Sequence, residues 1–178
     1  MSITEPILTP VQQQAFDGLL SRIPVGDVLV LRGNAGSGKT TILERIKGTC
    51  GATFLGMRQF MDALRTGSPQ AIEESFLEVM EQALSTADSV ILDDFHLISN
   101  VVDSRGYPRP NLLDIALSAL LADARASGKK LLFAVEDEVP AILWRQAYCL
   151  KIEDFTGDDY RALTERHPIV EPWIAGFC

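Results

Sequence analysis

The chain predicts an α/β fold: a five-stranded parallel sheet with helices on both faces, in three layers. Three observations predict it. Short apolar runs such as Val28–Leu31, Val90–Leu92 and Leu131–Val135 read as strands buried on both faces. Segments with apolar residues at helical spacing lie between them. Strand and helix alternate along the chain, as parallel neighbours joined by crossovers require. A length of 178 residues fits a single domain with a sizeable core.

Each element has its local reason. Thr9 is a plausible N-cap and Pro10 a good first residue for a helix running to about Leu20. The turn Pro24-Val25-Gly26-Asp27 leads into the first strand. Thr41 to Ile46 is helical, and Ala52 to Met57 predicts the second strand. Arg58 to about Arg65 reads as a short helix that stops near Thr66-Gly67-Ser68-Pro69. Apolar residues at 72, 76, 79, 80, 83 and 84 make Gln70–Thr86 an amphipathic helix. Ser89–Asp94 is a third strand ending in two carboxylates, and Asp103–Pro110, with Gly106 and two prolines, is a loop. Leu112–Ala126 is a helix stopped by Gly128. Lys130–Val135 and Tyr148–Ile152 supply the fourth and fifth strands, and a last helix runs from Asp158 to about His167. The tail, Pro168 to Trp173, shows no period.

Charge and cysteine content narrow the function classes. The net charge of −8, from 24 acidic and 16 basic residues, argues against broad nucleic-acid binding, which depends on Lys and Arg neutralising phosphates. Three scattered cysteines (Cys50, Cys149, Cys178) form no C-x-x-C pair, so a reducing compartment is expected rather than a disulfide scaffold. The N-terminus lacks a signal-peptide pattern, and no run of 18 apolar residues exists to span a bilayer. A soluble, cytoplasmic protein is the expectation.

Chemistry concentrates at Gly33-Asn34-Ala35-Gly36-Ser37-Gly38-Lys39-Thr40, which reads G-x-x-x-x-G-K-T (Walker A), the phosphate-binding loop of nucleoside triphosphatases. Its context is right: a buried strand precedes it, and a helix opening at Thr41 follows. Together they place backbone N–H groups and a positive helix terminus around one anionic pocket. Gly33 and Gly38 let the backbone approach the phosphates. Lys39 would reach the β- and γ-phosphates, and the Thr40 hydroxyl would ligate Mg²⁺. ATP and Mg²⁺ are the expected cofactors.

The second site element is Val90-Ile91-Leu92-Asp93-Asp94. An acid at the C-terminal end of a buried parallel strand emerges where open α/β sheets bind ligands. Asp93 would hold Mg²⁺ through its water shell, and Asp94 would orient or activate the attacking water. Acids also end strands merely to form turns. His96, next to this pair, reads either as a switch near the γ-phosphate or as a structural histidine. No Ser-His-Asp or zinc pattern is present.

With both motifs in place, residues 8 to 166 resemble the large nucleotide-binding domain of AAA+ ATPases. The layout from Phe54-Leu55-Gly56 through Gly67, Ile72, Phe76 and Ala83 to Val90–Ile98 carries the resemblance, most like the first AAA domain of tandem peroxisomal or valosin-type unfoldases. It implies the strand order 5-1-4-3-2, an oligomeric ring, homo- or hetero-oligomeric, and work on a protein substrate. It also implies Arg145 as an arginine finger acting on a neighbouring subunit; a surface arginine beside Trp144 is the other reading. Several positions depart from the pattern. Asp94 replaces the usual glutamate. Val135-Glu136-Asp137 replaces the polar first sensor, setting a carboxylate where it would repel a γ-phosphate unless Mg²⁺ intervenes. Arg65-Thr66-Gly67 lacks the pore-loop aromatic. The family's helical lid would start after Arg166, where twelve residues remain, as in a piece cut from a longer protein or a lidless relative.

Four functions fit to different degrees. The leading one is a Mg²⁺-dependent ATPase module doing conformational work on protein partners, with ATP hydrolysed slowly to ADP and phosphate. Others are a nucleotide-binding assembly module without significant turnover and a DNA-linked AAA+ loader, against which the acidic composition weighs. A small-molecule kinase would need a basic lid, for which Arg105 and Arg109 are the available residues.

Overall fold

The computed structural model describes residues 7–66, 72–102, 104, 107, 111–136 and 138–166. Its strands are β1 (Val28–Arg32), β2 (Thr53–Leu55), β3 (Ser89–Leu92), β4 (Lys130–Val135) and β5 (Tyr148–Lys151). The helices are α1 (Pro10–Arg22), α2 (Lys39–Cys50), α3 (Met57–Thr66), α4 (Ile72–Thr86), α5 (Phe95–Val102), α6 (Leu112–Ala126), α7 (Ala141–Gln146) and α8 (Gly157–Arg166). All strand pairs are parallel, and the sheet order is β2-β3-β4-β1-β5, the expected 5-1-4-3-2.

The central strands are apolar throughout because each successive side chain enters a different core. Leu29, Leu31, Ile91, Leu132 and Ala134 join α1 and α2 residues such as Phe16, Leu19, Ile42 and Leu43 on one face. Val28, Val30, Val90, Leu92, Leu131, Phe133 and Val135 pack on the other face with α4, α5 and α6. Phe95 knits that second core together, with ring centroids 5.5 Å from Phe76 and 5.3 Å from Phe133.

Helix boundaries follow local chemistry. Thr9 caps α1 in a reciprocal capping box with Gln12, and Pro10 stands in the first turn. α2 stops at Gly51, which takes the left-handed conformation at φ 67°. β2 is shorter than its apolar run predicts: the Gly56 N–H donates to Gln59 Oε1, and Met57 already begins α3. β3 ends at Leu92 rather than running through Asp94. The Asp93 N–H makes a last bond to Leu55 O, and Asp94, at φ 56°, turns the chain into α5. That helix and α7 occupy stretches for which no element is predicted from sequence. The Gly67 pore-loop position, most of the 103–110 loop, His167 and the tail lie outside the described residues.

The topology also fixes where a ligand can sit. After β1 the chain leaves through α2 toward β2, and after β4 it leaves through α7 toward β5, on the opposite side. The crevice between the C-terminal ends of β1 and β4 is therefore the switch point at which open α/β sheets bind ligands. No helix among the described residues is long and apolar enough to cross a membrane.

Candidate nucleotide-binding site

The phosphate loop lies between β1 and α2, as its sequence context predicts. Gly36 and Gly38 hold φ values of 77° and 87°, a region that strains any residue with a Cβ. At Gly38 a Cβ would also come within 2.2 Å of Gln12 Nε2. That amide donates to Ser37 O at 3.1 Å, so α1 buttresses the loop from outside. Ser37 N donates to Asn34 O, closing the loop's turn.

Lys39 is buried, and its ammonium donates to Gly33 O at 2.7 Å and Asn34 O at 3.0 Å. The charge thus lies over the loop that the motif assigns to phosphate. Gly38 caps α2 without a side-chain hydrogen bond, which leaves the first-turn N–H groups, those of Thr40 and Thr41 among them, as the helix's positive end. Ser37 Oγ is buried in this cradle and has no hydrogen-bond partner among the described residues. An orphaned hydroxyl, a buried cation and a helix N-terminus around one loop suit an anionic phosphate chain.

Residues predicted 53 positions apart meet here. Thr40 Oγ1 donates to Asp93 Oδ2 at 2.6 Å, which joins the end of β3 to the start of α2. Burial pushes the Asp93 carboxyl above its ordinary value and the Asp94 charge adds to this, while the Thr40 hydroxyl and the Asp94 N–H pull it down. No group of three or more His, Cys, Asp or Glu side chains among the described residues could hold a metal. Two hard oxygen donors beside a phosphate loop instead fit Mg²⁺, which takes few protein ligands and completes its shell with phosphate oxygens and water.

The remaining predicted residues are more dispersed. Asp94 opens α5, half-buried. Arg145 is exposed on α7, while the neighbouring Trp144 carries the guanidinium of Arg32 at 5.5 Å from its ring centroid. His96 is buried, and its Nε2 lies 3.4 Å from Glu136 Oε1.

Sequence reasoning passed over the outer wall of the site. A cleft of about 330 Å³ is lined by Asn34, Gly36 and Ser37 on one side and Ile152, Phe155 and Tyr160 on the other. Phe155 and Tyr160 meet edge to face at 5.9 Å, and Asn34 Nδ2 donates to Asp154 Oδ1 at 3.2 Å. The wall is anchored by Asp159, which is fully buried and accepts from the Val11 N–H, the Thr156 N–H and the Thr156 hydroxyl. Burial alone would raise the Asp159 pKa; these hydrogen bonds and one from Thr9 outweigh it and hold it at about 2. The only signal in the sequence was Thr156-x-x-Asp159 at a helix start, too common to single out.

The chain matches no protein-family model and no curated protein sequence. Among solved structures, a DNA replication initiation factor shares the fold with a TM-score of 0.60 and 15% identity, over 91% of this chain and 52% of that one. Domain III from the Thermotoga maritima replication initiation protein DnaA shares it with a TM-score of 0.62 and 13% identity, over 91% of this chain and 70% of that one. The chain thus spans about half the length of the first neighbour. At these identities the likeness is one of fold. It bears out the five-stranded P-loop architecture and not the finer likeness to tandem peroxisomal or valosin-type unfoldase domains.

Proposed function

We propose that this chain is a Mg²⁺-dependent, ATP-binding AAA+ module that hydrolyses ATP to ADP and phosphate within a DNA-linked assembly. The Thr40–Asp93 contact beside the buried Lys39 carries the nucleotide reading. Lys39 and the loop N–H groups from Gly33 to Thr41 would hold the phosphates, with Thr40 and Asp93 on Mg²⁺. Mg²⁺ bound there would neutralise charge on the β- and γ-phosphates.

The DNA-linked context replaces the expected work on a protein substrate. Its support is that both structural neighbours are described as replication initiation proteins. The net charge of −8 makes a direct electrostatic grip on DNA unfavourable, so protein partners or neighbouring subunits would carry the link. Arg145, exposed on α7, would act on the nucleotide of an adjacent subunit. A second reading, an assembly module that binds ATP without significant turnover, draws on Asp94, whose carboxylate is one methylene shorter than the glutamate expected there.

The test is ATP binding and phosphate release by the wild type and Lys39→Ala, with and without DNA, across a salt series. The proposal expects Lys39-dependent binding and Lys39-dependent phosphate release. Binding without any Lys39-dependent release would establish the assembly module instead, and equal binding by both proteins would show that Lys39 does not hold the phosphates, overturning this site.

A further inference from the structure

We infer that Glu136, held by His96, is the carboxylate that orients the attacking water and takes its proton, in place of Asp94; this rests on the triphosphatase reading above. The sheet order puts β4 between β3 and β1. Strands lie about 4.8 Å apart, so the strand that ends before Asp94 is about 9.6 Å from the one feeding the phosphate loop, and the strand that ends before Glu136 is its immediate neighbour. Arg32 pairs with Val135, and the Gly33 N–H donates to Val135 O at 3.3 Å. Glu136 therefore emerges beside Gly33, in the switch-point crevice. Glu136 lies one residue past the end of β4, and the side chain it meets, His96, is on α5.

His96 supplies the second observation. Its ring is buried, its Nε2 lies 3.4 Å from Glu136 Oε1, and its Nδ1 is buried with no hydrogen-bond partner among the described residues. A ring proton on Nε2 would face the carboxylate at 3.4 Å and leave Nδ1 as an acceptor, whereas the other tautomer would bury an unpaired N–H. Glu136 thus stays half-exposed to water with one carboxylate oxygen against the imidazole. The Asp94 main chain, in the left-handed region, accepts from the Leu97 N–H and donates to Asp93 Oδ1, so it forms the turn that starts α5, one strand farther from the phosphate loop than Glu136.

In the step, the water oxygen forms a bond to the γ-phosphorus while the bridging P–O bond breaks and its electron pair leaves on the diphosphate. The water proton passes to the Glu136 carboxylate and from there to solvent. His96 is a positioning residue in this scheme.

The experiment compares full-length wild type, Glu136→Gln, Glu136→Asp, Asp94→Asn, His96→Phe and His96→Gln, reading ATP·Mg²⁺ affinity by calorimetry and steady-state phosphate release. Glu136→Gln is expected to keep its ATP Kd within about threefold and lose at least about a hundredfold in kcat, the scale of general-base catalysis. Glu136→Asp, the milder change, should lose roughly tenfold, and Asp94→Asn roughly threefold. His96→Phe should lower kcat with KM unchanged, and His96→Gln, whose amide also donates, should restore most of it. The inference is overturned if Asp94→Asn abolishes release while Glu136→Gln does not. It is also overturned if Glu136→Gln merely tightens ATP binding, or if wild type binds ATP with no turnover. In that last case the binding reading stands, whereas only loss of Lys39-dependent ATP binding would defeat the reading on which this one rests.

Discussion

Lys39 illustrates how one side chain divides between stability and binding. Its ammonium bonds two carbonyls of its own loop, and a phosphate chain would compete for the same donors. Lys39→Ala should therefore weaken ATP binding roughly 10- to 150-fold, the equivalent of 1.5–3 kcal/mol for hydrogen bonds to a charged group, with an unchanged circular dichroism spectrum. Gly38 is constrained by shape instead of charge. Gly38→Ala places a Cβ in the left-handed region at 2.2 Å from Gln12 Nε2, so it should lower stability by about 1–2 kcal/mol from backbone strain, and the displaced Gln12 should release Ser37. Asp159 sets a pH dependence. Its folded pKa of about 2 lies below the ordinary 3.8, so the unfolded chain binds the proton more readily and acid favours unfolding. The stabilisation is fully present above about pH 4 and fades as pH falls toward about 2. Thermal melts of wild type should drop across that window more than those of Asp159→Asn; parallel curves would show that the carboxylate is not the cause.

At the scale of elements, the capping box is the clearest local contribution. Thr9→Ala removes the side-chain acceptor at the α1 N-terminus and should cost about 1 kcal/mol in denaturant unfolding. The change should reach the phosphate loop as well, because Gln12 is bonded to both Thr9 N and Ser37 O. Elements with several agreeing signals were legible in the sequence. Thr9 and Pro10 announced α1, and Gly128 announced the end of α6, whose Leu112–Ala126 span is the one expected. The misses have physical causes. Phe95, Ile98 and Val102 are buried at helical spacing, yet an eight-residue helix that runs straight on from an apolar strand offers no polar punctuation. Short α7 had the same problem. β3 looked longer than it is because only the left-handed backbone of Asp94 breaks the run, and aspartate takes that conformation without a glycine to mark it.

For the whole molecule, the decisive measurement is a nucleotide-dependent melt. If ATP·Mg²⁺ binds the folded chain alone, saturating it at a hundred times Kd should add about 2.7 kcal/mol of stability, and at the same ATP concentration Lys39→Ala should keep only about 0.3–1.4 kcal/mol of it. Arg145 belongs to this scale too, since it is exposed on α7 and acts in the proposal only across an interface. Mixing Arg145→Ala with Lys39→Ala protein should recover phosphate release if each supplies what the other lacks; no recovery would place Arg145 outside the reaction. By itself the sequence determined the α/β class, the phosphate-loop motif with its flanking strand and helix, the acids that end the third strand, and a net charge of −8. These are properties of contiguous residues, readable from spacing and chemistry. Only the tertiary structure decided that Thr40 touches Asp93, that Gln12 and Asp159 brace the loop and its outer wall, and that Glu136 rises beside Gly33 with His96 behind it. Those contacts join segments up to 148 residues apart, and which strand neighbours which depends on the crossovers, whose order no local pattern records.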